Sequence, residues 1–230
     1  MRRALLLALS CAIPPPAAAH DLWIDRDGPL YTLAYGHARS GHEGARRLEY
    51  RPETLQQAAC FAASGQASPA ELGRQFPVTL RGDCAAVWFQ RSSGYWSKTP
   101  YGTRNLPRTE AGAVLDSWLS IESVKRIDRW HEALARPLTR ELELVALADP
   151  LQAKPGGKLR LRAWRQGKPA AGASVVYFGK SRGLTGADGT IDIRLGEAGL
   201  QRIRATLELP LDDGKAERAV LATTLQFETR

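Results

Sequence analysis

Residues 158–164, KLRLRAW, set basic and apolar side chains in strict alternation. Lys158, Arg160 and Arg162 fall on one side of an extended chain, and Leu159, Leu161 and Ala163 on the other. That is the period of a strand with one face against a core. The pattern repeats downstream. Gly167-Lys168-Pro169 reads as a turn, residues 173–178 (ASVVYF) as a second strand, and Ala187-Asp188-Gly189 as a hairpin-type turn before a strand at 190–194. Residues 201–207 and 218–227 supply two more. Evenly spaced short strands with turn signals between them predict a β-sandwich of about 80 residues, immunoglobulin-like or transthyretin-like. Such a module implies no chemistry by itself.

Upstream, the turn-rich stretch 152–157 (QAKPGG) places a boundary near Asp149-Pro150. Residues 20–149 form a second β-rich unit, with strand-like runs at 30–35, 76–80, 85–90 and 141–147 and a turn at Arg81-Gly82-Asp83. Short helices are predicted at 53–59 and 129–135, and a long aromatic loop at 92–110. The expected fold class is all-β, two β-sandwich domains at 20–149 and 150–230.

Residues 1–19 read as a signal peptide and not as fold. Arg2 and Arg3 form a basic start, residues 4–13 a short apolar run, and Ala17-Ala18-Ala19 a small-residue cleavage site. Leu9-Ser10-Cys11 offers a weaker, lipoprotein-type alternative. The apolar run is too short to span a bilayer, so an exported protein of the periplasm without stable membrane insertion is expected. The formal charge of +8 becomes +6 on cleavage, because two arginines leave and no acid does. The basic residues are scattered and carry no nucleic-acid motif, so a solvated basic surface is the reading and nucleic acid is not an expected partner. Nothing in the pattern fixes an oligomeric state.

Cleavage removes Cys11 and leaves Cys60 and Cys84. An even pair in an oxidising compartment reads as a disulfide; a thiolate metal pair is disfavoured because CxxC spacing is absent.

The chain has four histidines, His20, His37, His42 and His131. The second and third lie in YGHARSGHEG (residues 35–44), where Gly36, Gly41 and Gly44 let a loop close tightly. Cleavage after Ala19 makes His20 the first residue, so its α-amine and its ring can chelate one ion. An α-amine with a pKa of roughly 7.7–8 gives up its proton to a metal near neutral pH. His20, His37 and His42 are therefore the candidate metal ligands, with Glu43, Asp21 and His131 as additional candidates. A nitrogen-rich donor set suits nickel, cobalt or copper, with zinc also admissible. No GxSxG, HExxH, Walker A or Rossmann signature is present, and no catalytic residue is assigned.

Several segments together carry a family resemblance: AHDLWID at 19–25, YGHARSGHEG at 35–44, GYWSKTPYGTRNLP at 94–107, SWLSIESVKRIDRW at 117–130 and ARPLTRELELVALADP at 135–150. The chain resembles an exported bacterial family labelled a domain of unknown function and linked with nickel uptake. It is similar to periplasmic auxiliary components of energy-coupling-factor nickel/cobalt transporters. The resemblance implies two β-rich domains, capture or delivery of a divalent metal, and transporter components of the inner membrane as partners. His20 follows the cleavage site as the family's early histidine does, and His37 occupies its YGH motif. The expectation is a metal-binding transport protein and not an enzyme. The alternatives are a periplasmic copper protein, either a carrier or a histidine-brace-type oxidase, and a non-metal interaction module of the cell envelope.

Overall fold

The computed structural model describes residues 20–37 and 47–230. Its strands are β1 (Asp21–Asp27), β2 (Leu30–Gly36), β3 (Leu55–Phe61), β4 (Ala67–Ser68), β5 (Glu71–Gly73), β6 (Thr79–Arg81), β7 (Ala86–Thr99), β8 (Gly102–Arg104) and β9 (Asp116–Ile127). They continue as β10 (Glu143–Ala146), β11 (Lys158–Arg165), β12 (Lys168–Pro169), β13 (Ser174–Tyr177), β14 (Lys180–Leu184), β15 (Thr190–Arg194), β16 (Gly199–Pro210) and β17 (Arg218–Thr229). The fold is all-β, with its sheets stacked as sandwiches.

A nine-stranded sheet in the order β14-β13-β16-β17-β9-β7-β3-β4, with β8 on β7, is the middle layer. A strand turns alternate side chains to opposite faces, and here both faces are buried. Val87, Phe89 and Val124 face a small sheet of order β1-β2-β6-β5, packing with Leu22, Ile24, Tyr31 and Leu33. Trp88, Ile127, Leu225 and Phe227 face the sheet of β10, β11, β12 and β15, packing with Leu144, Leu161 and Ile193. The alternation that opened the sequence is realised in β11, whose Leu159, Leu161 and Ala163 lie in that core. Across the expected division at 149/150, β10 pairs with β11, and β17 runs parallel to β9 from Arg218↔Trp118 to Phe227↔Ile127. The two sandwiches therefore share one central sheet.

Three local expectations change. Residues 53–59 form a 3-10 turn at Pro52–Thr54 followed by β3, because pairing with β7 outweighs the helix propensity of Gln and Ala. The predicted helix at 129–135 is a 3-10 turn at Glu132–Ala135. The predicted loop at 92–110 is largely strand: β7 runs through to Thr99 with a bulge between Ser92 and Gly94, where Gly94 takes φ +81°. Trp96 then stacks on Trp118 of β9, ring centroids 6.5 Å apart.

Cys60 of β3 and Cys84, just before β7, form the expected disulfide. Closing a loop of that length contributes roughly 3 kcal/mol through the unfolded state. The Cys60→Ser/Cys84→Ser variant is expected to melt about 6–12 °C lower, at about 2–4 °C per kcal/mol for a chain of this size; calorimetry checks it.

Candidate metal centre

β1 and β2 form an antiparallel pair whose last register step is Asp21↔Gly36. One residue further out, the same register sets His20 across from His37. Their rings lie 4.7 Å apart between centroids, inclined at 64°. Tyr35 is two residues before His37 and so faces the same side of the strand. Its hydroxyl lies 2.8 Å from His20 Nδ1, and its ring meets the imidazole edge-on at 5.1 Å.

The pair sits where the small sheet ends on the central one, over a layer of charged groups. Arg204 of β16 donates to the His20 carbonyl at 3.0 Å and lies 3.6 Å from the Glu122 carboxylate. Arg91 of β7, which faces Glu122 in register, places its guanidinium 4.4 Å from the Tyr35 ring centroid and 5.5 Å from that of Tyr50. Burial holds the His20 ring below the usual histidine pKa, reinforced by His37 and Arg91 and opposed by Asp21. The neutral imidazole, which carries a lone pair for a metal, is therefore favoured. Burial raises the Tyr35 phenol and the Glu122 carboxyl; Arg204 and Arg91 oppose the rise at Glu122.

Of the sequence candidates, His20 and His37 are brought together. Asp21 opens β1, with its influence on His20 electrostatic. His131 is exposed and caps the turn at Glu132–Ala135, its Nδ1 accepting from the Ala133 amide at 3.2 Å. His42 and Glu43 lie outside the described residues. Among the described residues, no group of three or more His, Cys, Asp and Glu side chains converges as a metal site. The arrangement thus supplies two imidazoles at a sheet end, to which a freed α-amine of His20 would add a third nitrogen. Tyr35, Arg91, Glu122 and Arg204 were not among the sequence candidates. Tyr35 was signalled by its spacing from His37; the other three come from distant strands and carry no local motif.

A family profile described as "Domain of unknown function (DUF4198)" matches residues 17–208. No curated protein sequence matches the chain. Among solved structures, the D0-D1 domain of Intimin aligns over 92% of this chain and 100% of that one, at 11% identity and a TM-score of 0.23, too slight a likeness to bear on the site. No helix among the described residues is long and apolar enough to cross a membrane.

Proposed function

The chain belongs to that DUF4198 family, and from this premise we propose that it is a periplasmic divalent-metal-binding protein that assists nickel or cobalt uptake by an inner-membrane transporter. The observation that supports the reading is the His20–His37 pair, 4.7 Å apart, at the residue where a signal peptide would be cut. Removal of residues 1–19 turns the His20 amide nitrogen into an amine. That amine and Nδ1 of the same residue chelate the ion, and His37 supplies a further nitrogen. Such donors suit nickel and cobalt without demanding thiolates. Release follows protonation or transfer to partner ligands, since protons and metal compete for the same lone pairs.

The chelate uses Nδ1, which Tyr35 holds at 2.8 Å in the uncleaved chain. Binding therefore exchanges a hydrogen bond worth about 0.5–1.5 kcal/mol for a metal bond. Tyr35→Phe in the mature chain is expected to tighten nickel binding about two- to tenfold in calorimetry. Weaker binding in that variant would mean that the hydroxyl orients the ring for Nε2 ligation, and the amine chelate would be wrong. For the transport role, cells lacking the protein should accumulate less nickel or cobalt from trace supply. The wild-type gene, but not His37→Ala, should restore uptake; unchanged accumulation in the deletion would contradict the role.

A further inference from the structure

The β1–β2 ladder ends at Asp21↔Gly36, so His20 stands one residue beyond it. In a chain that starts at His20 it is also the terminal residue, and terminal residues fray unless they are tied down. A terminus that swings carries both the amine and the ring of His20 away from His37. Two contacts tie it. One is the Tyr35 hydroxyl, 2.8 Å from Nδ1, which an amine–Nδ1 chelate displaces. The other is on the backbone: Arg204 Nη1 donates to the His20 carbonyl at 3.0 Å. That bond survives chelation, because the amine and Nδ1 leave the carbonyl oxygen free. It also directs the chelate. An α-amine and its own carbonyl oxygen can close a competing ring, and a guanidinium on that oxygen sets one cation against another.

Arg204 is itself fixed. It lies on β16, in register with Thr224 of β17. Its Nη2 is 3.6 Å from Oε1 of Glu122 on β9, and the two side chains are 24% and 13% exposed. A guanidinium is a planar fork, so one arm on the carboxylate fixes where the other arm points. Glu122 has Arg91 in register on its other side, and both guanidiniums favour its charged form against burial. His20, Arg204 and Glu122 thus connect the start of the small sheet to the middle of the central one.

We propose that Arg204, braced by Glu122, is the positioning residue of this site: it pins the His20 carbonyl so that the freed amine and the ring stay aimed at an ion beside His37. The inference rests on the metal reading above. Groups that orient metal ligands from behind typically carry roughly 10–100-fold in metal affinity. Here the effect falls on the amine, the donor at the very end of the chain.

The test uses the mature chain as wild type, Arg204→Met and Arg204→Lys, each also made with Ala19 retained ahead of His20. Glu122 keeps Arg91 as its counter-charge in every form, and the methionine stem packs where the arginine stem did, so the fold is kept; circular dichroism checks it. Nickel affinity of the mature chain should fall at least about tenfold in Arg204→Met. The advantage of the free amine over the Ala19-retaining form should shrink to less than about threefold in that variant, which a loosening common to both forms would not produce. Arg204→Lys keeps a cationic donor and should recover most of the affinity. In the metal-free mature chain, a broad-specificity aminopeptidase should release His20 at least about fivefold faster from Arg204→Met than from the wild type, read by mass spectrometry. An Arg204→Met affinity within about twofold of the wild type overturns the inference and leaves the metal reading standing, whatever the rate of His20 release. An equal loss of affinity with and without Ala19 does the same. A wild-type mature chain that takes up no nickel removes the metal reading, and this inference with it.

Discussion

Replacing His37 with alanine in the mature chain is expected to weaken nickel binding by at least about a hundredfold, or about 2.7 kcal/mol. The reason is geometric. His37 is the second of the two imidazoles that the β1–β2 pair sets 4.7 Å apart, and among the described residues no further His, Cys, Asp or Glu completes a group with them. Losing it leaves one residue to hold the ion by its ring and amine. His37 itself stands just past the end of β2 and is half-buried, so the thermal midpoint of the metal-free protein should barely move. An affinity within twofold of the wild type would place the ion elsewhere. His37 is the better position to change than His20, because substituting His20 also alters the residue next to the proposed cleavage site.

The largest effect on stability is expected from Lys125→Met. Lys125 on β9 and Glu143 on β10 pair at 2.6 Å with 1% and 0% of their side chains exposed. Glu143 also accepts from the Leu138 amide at 3.0 Å, the Thr139 amide at 2.9 Å and the Thr139 hydroxyl at 3.0 Å. The carboxylate thus ties the segment before β10 to the central sheet. Removing the ammonium strands a buried negative charge among neutral donors, which costs about 3–5 kcal/mol. The melting temperature should fall by about 6–20 °C. Adding Glu143→Gln removes the charge while keeping an oxygen that accepts, so the double variant should recover much of the loss. A single variant within about 1 kcal/mol of the wild type, or a double variant no better than the single, would contradict this account of the pair.

How much of this was legible in the sequence depended on whether a segment's pattern was local. β11 and β15 were read directly because each turns one apolar face to a core. β9 does not stand out in the sequence, for the opposite reason. Its residues reach both faces of the central sheet, and its polar positions are buried: Lys125 against Glu143, and Arg126 on Asp128 at 2.8 Å. A strand whose buried charges are satisfied by partners outside it does not alternate cleanly. Its parallel pairing with β17 likewise joins residues about a hundred positions apart, which no local signal announces. At the candidate site, His20 and His37 were visible from residue type and position. Their meeting was not, since it follows from the β1–β2 register. The aromatic stretch at 92–110 reads as a loop because its glycines and prolines outweigh the strand character of Tyr95, Trp96 and Thr99. The cysteine pair was legible because arithmetic left one partner for each thiol.

The most direct test begins with mass determination of the exported protein's first residue, followed by nickel titration of that same sample. A second sample keeps Ala19 ahead of His20, which leaves an amide where the mature chain has an amine. The prediction is a mature chain that starts at His20 and binds one nickel ion per chain at micromolar or tighter affinity, with binding at least about tenfold weaker once Ala19 is retained. Equal binding by both samples, or none by the chain that starts at His20, would contradict the claim that a freed amine and two neighbouring imidazoles hold the ion.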